Sequence, residues 1–198
     1  MTEASLPVAV DAMGGDHAPD QIIQGARLAK ESGIPIVLFG TEQALGDVED
    51  MKTIFVSEVV EMDEDPGQAV RRKKDSSLVR AAEYVRDGYG AAMVSAGNTG
   101  ATMASALLRM GRLKGVSRPA IATPIPTLEG DHPVILLDSG ANAECQPDWL
   151  LQFAEMGAVY ARDRFAVERP KVGLLSIGEE AGKGNSLIKD TFEIFNSG

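Results

Sequence analysis

Short apolar runs alternate with segments of helical periodicity along most of the sequence. Six runs rich in valine, isoleucine and leucine have the length of a buried strand, and the segments between them space apolar residues three or four positions apart. Because neighbouring parallel strands need a crossover helix, the alternation predicts an α/β fold with a parallel or mixed sheet and helices on both faces. The predicted strands are residues 7–10, 34–39, 53–56, 91–94, 133–137 and 171–177, and the predicted helices are residues 21–31, 76–86, 99–110, 149–162 and 186–195.

The length and the helix signals indicate how the chain is organised. Its 198 residues, 44% of them hydrophobic, can bury a substantial core, so we expect residues 1–198 to form a single α/β unit. Asp75 is predicted to cap the helix that follows it. The last predicted helix would open a new α/β unit with no strand after it, so we expect this unit to be the N-terminal part of a longer chain.

Charge and cysteine content narrow the partners and the compartment. The formal net charge of -10 disfavours nucleic acid as a partner. The single cysteine, Cys145, cannot form an intrachain disulfide, and the sequence MTEASLPVAV has no basic leader, so we expect a cytoplasmic protein. The apolar runs are far shorter than the roughly 20 residues that span a bilayer.

Glycine-rich loops follow four of the predicted strands. In an open α/β sheet ligands bind at the carboxyl ends of strands, so we expect these loops to border one cleft. The loop SAGNTG fits an anion site best, because Gly97 and Gly100 allow close backbone approach at a helix start. Ser95, Asn98 and Thr99 add side-chain hydrogen bonds, although an ordinary turn with a helix cap explains the loop equally well. The four loops are residues 11–16, 95–100, 138–142 and 177–185.

Several common catalytic solutions do not fit the sequence. Only three residues separate Gly178 from Gly182, and Gly184 follows Lys183, so loop 177–185 departs from a nucleotide P-loop. There is no G-x-G-x-x-G fingerprint, so ATP and NAD are both disfavoured and we expect no cofactor. The chain also has no G-x-S-x-G elbow, which makes a serine triad improbable.

The histidines and the cysteine give weaker signals. His17 lies in a glycine loop and could donate to an anion, whereas His132 is typical of a turn residue entering a strand. Cys145 is more typical of packing than of nucleophilic catalysis. No grouping of histidine, cysteine and carboxylates has the spacing of a metal site, so we predict no metal.

Five motifs occur together in one order: VAVDAMGGDHAP, AVRRKKDSSL, SAGNTGA, LLDSGAN and GEEAGKGN. In this order and rough spacing they resemble the PlsX family, and the match runs from Val8 to about Leu187. The resemblance implies a Rossmann-like fold similar to phosphotransacetylases and the isocitrate dehydrogenase group. It further implies transfer of a fatty acyl group from acyl carrier protein (ACP) to inorganic phosphate, giving acyl phosphate for phospholipid synthesis. A homodimer with loose peripheral contact at the inner face of the cell membrane is also implied.

Together with the loops described above, the resemblance implies which residues form the site. Lys183 and Asn185 are expected to be the catalytic pair, giving charge and a hydrogen bond to phosphate or to the thioester oxyanion. Asp138 would orient phosphate donors or Lys183, or would cap the next helix instead. The residues expected to bind phosphate or substrate are Gly14, Gly15, Asp16, His17, Ser95, Gly97, Asn98, Thr99, Gly100, Asp138 and Asn142.

A basic run offers a surface for the carrier protein. ACP is acidic, so an enzyme with a net charge of -10 needs a local positive surface to dock it. Arg71, Arg72, Lys73 and Lys74 supply such a surface for ACP or acyl phosphate, unless they form a solvated loop neutralised by the acidic stretch before them. Two other functions remain open: a phosphotransacetylase-like acyl transfer that uses coenzyme A, and a non-catalytic protein that binds acyl-ACP or a nucleotide.

Overall fold

The structure of the chain is a computed structural model that describes residues 5–128, 131–178, 180 and 183–197. It divides into two compact units, Met1–Gly111 and Arg112–Gly198. The expectation of one α/β unit over residues 1–198 stays a prediction, and each of the two units has its own elements.

A four-stranded parallel sheet forms the centre of the first unit. Its strand order is β3-β2-β1-β4, and every neighbouring pair is parallel. In this register Val10 lies opposite Leu38 on one side and Val94 on the other. The predicted strands in this half of the chain are therefore confirmed, with ends that shift by one or two residues. The strands are β1 (Val8–Asp11), β2 (Ile36–Gly40), β3 (Lys52–Phe55) and β4 (Ala92–Val94).

Helices cover both faces of this sheet, as the alternation predicts. Side chains of successive strand residues point to opposite faces, so one strand serves two cores. Val10 and Leu38 pack with Ile23 of the first helix on one face, and Phe39 packs with Ala81 of the fourth helix on the other. The helices are α1 (Asp20–Glu31), α2 (Glu42–Leu45), α3 (Pro66–Arg72), α4 (Ser77–Arg86) and α5 (Thr99–Arg109).

Two of these helices and one cap differ from the sequence prediction. Helices α2 and α3 are short and were not predicted, and α3 packs against α4 and α5 through Val70. The predicted capping role of Asp75 is wrong, because the Ser76 side chain accepts the hydrogen bond from Val79 N. Asp75 instead accepts hydrogen bonds from the backbone N and the hydroxyl of Ser57.

The described residues of the second unit form a smaller sheet and two helices. Its strands β5 (Thr123–Ile125) and β6 (Val134–Leu136) are antiparallel, and its helices are α6 (Pro147–Phe165) and α7 (Ser186–Ser197). The predicted strand at residues 171–177 is wrong: these residues have no regular structure, and Leu175 and Ile177 are 79% and 89% exposed. An apolar run becomes a strand only when another strand pairs with it, and no described residue pairs with this one. Among the described residues, no helix has the length and apolar character needed to cross a membrane.

Candidate active site

The order of the parallel strands creates a crevice between β1 and β4. The chain adds β2 and β3 on one side of β1, then returns to place β4 on the other side. Such a reversal leaves a gap at the carboxyl ends of the two strands that flank it, and open α/β sheets bind ligands there. Loops 11–16 and 95–100 follow β1 and β4. Two of the four predicted loops therefore meet at the switch point of the sheet.

The two loops touch through glycines. A Cβ atom added at Gly14 would lie 2.6 Å from Asp11 Oδ2 and 2.8 Å from both Gly97 N and Ser95 Oγ. A Cβ added at Gly97 would lie 3.0 Å from the Cα of Gly14. Contacts under 3.0 Å force neighbouring atoms to move, so only glycine at position 14 allows this approach of the two backbones.

A buried carboxylate links the same two loops. Asp11, the last residue of β1, is 3% exposed. Its Oδ1 accepts a hydrogen bond from Met13 N at 3.1 Å, and its Oδ2 accepts one from Ser95 Oγ at 2.7 Å. Gly97 N in turn donates to Ser95 Oγ at 3.1 Å. Sequence reasoning did not single out Asp11, although an aspartate that ends a strand before a glycine pair was the available signal.

Asn98 uses its side chain to hold the start of α5 and a third loop. Its Oδ1 accepts a hydrogen bond at 3.0 Å from a backbone N–H in the first turn of α5. Its Nδ2 donates to the carbonyl oxygens of Met62 and Glu64 at 3.0 and 3.2 Å. A Cβ at Gly100 would lie 2.7 Å from Pro66 Cγ, so the first residue of α3 also packs against this loop. Sequence reasoning did not place residues 62–66 beside the site.

Backbone N–H groups are the donors that remain at the crevice. Within the part of the chain that the structure describes, the N–H groups of Gly14, Gly15 and Thr99 have no hydrogen-bond acceptor. Thr99 opens an eleven-residue helix, whose N-terminus carries partial positive charge. Asp16 and His17 are exposed on the rim of loop 11–16. The arrangement can therefore hold an anion mainly through the main chain.

The four basic residues at the end of α3 are not equivalent. Arg71, Arg72 and Lys74 are exposed. Lys73 Nζ instead donates to Glu64 Oε2 at 2.6 Å and to a backbone carbonyl at 2.6 Å. Two hydrogen bonds hold the pKa of Glu64 below its ordinary value: the one from Lys73 has the larger effect, and the one from the backbone of Glu61 the smaller. Lys73 thus ties α3 to the acidic segment before it, and the other three side chains face solvent.

Asp138 organises loop 138–142 in the second unit. Its carboxylate accepts hydrogen bonds from the backbone N of Ile121, Ala141 and Asn142 at 2.9, 3.1 and 2.8 Å, and from Asn142 Nδ2 at 2.9 Å. Burial alone would raise the pKa of Asp138, but these hydrogen bonds outweigh it and hold the pKa below its ordinary value. The carboxylate is therefore ionised at neutral pH, and its hydrogen bonds join loop 138–142 to the backbone at Ile121.

Two interpretations from the sequence concern this unit: Asp138 as a helix cap, and Cys145 as a packing residue. Asp138 does not cap the next helix, because α6 begins after Gln146. Burial, and then the negative charge of Asp138, raise the pKa of the Cys145 thiol. A raised pKa lowers the thiolate fraction, which supports the interpretation of Cys145 as a packing residue.

Lys183 and Asn185 precede α7 in the second unit. Within loop 177–185, residues 179, 181 and 182 lie outside the described residues. Lys183 is exposed, and its backbone N donates to the carbonyl of Glu180 at 2.9 Å. The Asn185 Oδ1 accepts a hydrogen bond from Ile188 N at 3.1 Å and so caps α7. That all four glycine-rich loops border one cleft stays a prediction, since two of them belong to each unit.

Comparison with known proteins identifies relatives along almost the whole chain. Residues 6–198 match the family described as "Fatty acid synthesis protein". A protein named phosphate acyltransferase from Desulforudis audaxviator is 50% identical over 195 residues, which cover 96% of this chain and 58% of the relative. The phosphate acyltransferase of Listeria innocua is 48% identical over 198 residues, covering 97% of this chain and 58% of the relative. The chain thus spans less than three fifths of the length of these relatives.

A solved structure shares the fold. The EutD phosphotransacetylase from Staphylococcus aureus superposes with a TM-score of 0.67, covering 98% of this chain and 64% of that protein, at 19% sequence identity. At this identity the likeness concerns the fold alone. The α/β fold similar to phosphotransacetylases, which the motifs predicted, is therefore confirmed.

Proposed function

Since the chain belongs to the fatty acid synthesis protein family, we propose that the whole protein transfers a fatty acyl group from ACP to inorganic phosphate. The name phosphate acyltransferase, carried by relatives about half identical in sequence, supports this activity. The observation that carries the proposal is the pair of glycine loops at the β1–β4 switch point, with main-chain N–H groups left for an anion.

The proposed reaction is a direct transfer. An oxygen of hydrogen phosphate attacks the thioester carbonyl carbon, and the carbonyl becomes a tetrahedral oxyanion. Its collapse breaks the C–S bond and releases acyl phosphate and the carrier thiolate, which takes up the proton lost by hydrogen phosphate to become the thiol. A thiol with a pKa of about 8.5 leaves readily, so positioning and charge can replace a nucleophilic side chain and a strong general acid. No covalent enzyme intermediate is required, which agrees with the raised pKa of Cys145.

Lys183 and Asn185 are the proposed catalytic pair. The exposed Lys183 ammonium would stabilise negative charge on phosphate or on the oxyanion. The Oδ1 of Asn185 is engaged in capping α7, so its Nδ2 is the group left to donate. Loops 11–16 and 95–100 would form the phosphate pocket. Asp138 and Asn142 of loop 138–142 are proposed to bind phosphate or substrate as well, and they are hydrogen-bonded to each other.

The roles proposed for the pocket side chains are unequal. Gly14, Gly15 and Thr99 would contact phosphate through their backbone N–H groups. Ser95 and Asn98 would act mainly by holding the loops, since the Ser95 proton goes to Asp11 and both Asn98 donor bonds go to backbone carbonyls. Asp16 and His17 would contribute at the rim.

The partners form a second part of the proposal. The exposed Arg71, Arg72 and Lys74 would dock the acidic carrier, with Lys73 fixing the helix that presents them. We also propose a cytoplasmic homodimer in loose contact with the inner face of the cell membrane. Because the curated relatives are longer, residues 1–198 would be the N-terminal part of a family-length chain, which the intact mass of the native gene product tests.

A phosphate-dependence assay on the full-length protein tests the activity. Acyl-ACP is incubated with and without inorganic phosphate, and acyl phosphate is trapped with hydroxylamine as the hydroxamate. We expect hydroxamate and free carrier thiol in equal amounts, and only when phosphate is present. Equally fast discharge of acyl-ACP without phosphate would contradict the proposal. A preference for acyl-coenzyme A would favour the phosphotransacetylase-like alternative, and saturable binding without acyl release would favour a binding protein.

A further inference from the structure

Asp11 is a buried ionisable group to which neither the family motifs nor the proposed reaction gives a role. It ends β1, which pairs with strands on both sides, and its side chain is 3% exposed. Removing a carboxylate from water is unfavourable unless donors or a cation replace the water. Among the residues the structure describes, no lysine, arginine or histidine forms an ion pair with Asp11. Hydrogen bonds from Met13 N and Ser95 Oγ take that place.

The hydrogen bonds around Asp11 have a fixed direction. The Ser95 hydroxyl donates its proton to Asp11 Oδ2. Its oxygen is then free to accept the hydrogen bond from Gly97 N. The resulting relay runs from Gly97 N–H through Ser95 Oγ to Asp11 and joins two loops that lie 84 positions apart in sequence.

The relay meets the closest backbone contact of the site. A Cβ at Gly14 would lie within 2.8 Å of all three polar groups: Asp11 Oδ2, Ser95 Oγ and Gly97 N. The Cα of Gly14 thus packs directly on the relay, so a shift in the relay shifts the loop that carries Gly14 and Gly15. The N–H groups of these two glycines are donors that the proposed pocket uses.

We infer that Asp11 is a positioning residue: through Ser95 it fixes the spacing of loops 11–16 and 95–100, and so the backbone donors that bind phosphate. This inference rests on the proposed function for its ligand. Asparagine cannot reproduce the arrangement, because one of its two polar atoms donates where both oxygens of Asp11 accept.

Steady-state kinetics of the full-length protein test the inference with Asp11→Asn, Ser95→Ala and the double variant. We expect each single variant to raise the KM for phosphate about tenfold, with less than about a twofold change in the KM for acyl-ACP. Because both side chains act through one hydrogen bond, the double variant should raise the KM for phosphate no further than the worse single variant does.

The chain offers a matched control in Asp75→Asn. Ser57 Oγ donates to Asp75 Oδ2 at 2.7 Å, the same length as the Ser95–Asp11 bond, and neither residue belongs to loop 11–16 or loop 95–100. The control should leave the KM for phosphate unchanged. An equal rise in this control, or effects of Asp11→Asn and Ser95→Ala that multiply in the double variant, would overturn the inference.

Two further outcomes remain decisive. If Asp11→Asn does not fold, Ser95→Ala decides alone: a tenfold rise in the KM for phosphate supports the relay and an unchanged KM overturns it. If the unmodified protein discharges acyl-ACP without phosphate, the proposed reaction fails, and calorimetric titration of the same variants with inorganic phosphate decides the inference. A loss of phosphate affinity confined to the Asp11 and Ser95 variants would support it, and unaltered or absent affinity would overturn it.

Discussion

Loops 11–16 and 95–100 of the first unit are held differently from loop 177–185 of the second. Loops 11–16 and 95–100 follow paired parallel strands, and Asp11, Ser95 and Asn98 spend their side chains on holding each other and the neighbouring backbone. Loop 177–185 follows a segment without regular structure, and it exposes the side chain of Lys183. Loops 11–16 and 95–100 offer backbone N–H groups in a fixed arrangement, whereas loop 177–185 offers a positive charge.

The two units also differ in how many apolar side chains they bury. Buried apolar side chains of β1 and β2 lie on both faces of the sheet in the first unit, and the partly buried Ile54 of β3 and Met93 of β4 pack against them. Among the described residues of the second unit, Phe153 alone is a buried hydrophobic residue. A loop that follows a strand of a well-packed sheet is held in place by the whole fold, so its side chains can serve to position neighbouring backbone groups. We therefore expect substitutions in loops 11–16 and 95–100 to act through geometry and those in loop 177–185 to act through charge.

The largest effect is expected at Lys183. Lys183→Ala should lower kcat about 100-fold, because it removes a positive charge from the developing oxyanion or phosphate, and it should leave the melting temperature unchanged. Lys189→Ala, an exposed lysine of α7, serves as the control and should keep full activity. The measurement is the hydroxamate assay with a thermal melt. Near-normal turnover of Lys183→Ala would remove this residue from the mechanism.

The next effect is expected at Gly14. Gly14→Ala places a Cβ 2.6 Å from Asp11 Oδ2, so the loops must separate. We expect activity to fall roughly tenfold, since reacting groups are misplaced, and stability to fall by about 1–3 kcal/mol. In α1, Gly25→Ala meets nothing within 4 Å and should stabilise the protein slightly. If Gly14→Ala resembled Gly25→Ala in urea unfolding and in activity, the close loop contact would be absent.

A smaller effect is expected at Asp138 and should depend on pH. Asp138→Ala leaves three backbone N–H groups without their acceptor, at a cost of about 1–2 kcal/mol. Because the pKa of Asp138 is depressed in the folded state, its contribution is present above the unfolded pKa and is lost as pH falls through the folded value. Amide exchange at Ile121 and Ala141 should therefore differ from the unmodified protein at neutral pH and converge as the pH falls below the ordinary pKa of aspartate. A difference that does not change with pH would contradict this role.

The smallest effect is expected at the end of α3. Arg71→Glu with Arg72→Glu should raise the KM for acyl-ACP about fivefold at low salt, and the difference should vanish at high salt because the charges are screened. Arg164→Glu, an exposed charge reversal in α6, is the control. An unchanged, salt-insensitive KM in the double reversal would show that the carrier docks elsewhere.

The sequence predicted the elements that depend on local pattern. Helices α1, α4 and α5 and strands β1 to β4 were found because their apolar spacing agrees with the way they pack. Residues 171–177 have a similar composition, but no strand in the described part of the chain pairs with them, so the pattern alone overstated their structure. Helix α3 was missed although Asp65 and Pro66 form a cap and a first turn, because the acidic stretch around them resembled a loop.

The candidate site was predictable in outline but not in its internal bonding. Glycine loops at the ends of parallel strands indicate a binding crevice, and the structure brings loops 11–16 and 95–100 together. The sequence could not show that the side-chain amide of Asn98 donates to the carbonyl oxygens of Met62 and Glu64, because asparagine occurs both in helix caps and in ligand sites. Three-dimensional placement alone separates a residue that touches the anion from one that holds the loop.

Direct titration of inorganic phosphate tests the central claim, that the main chain of two glycine loops grips the anion. Calorimetry on the full-length protein would compare the unmodified form with Gly14→Ala and Gly25→Ala. We predict saturable phosphate binding that Gly14→Ala weakens about tenfold or more and Gly25→Ala leaves intact. Equal binding by all three forms, or no binding by the unmodified protein, would contradict the account.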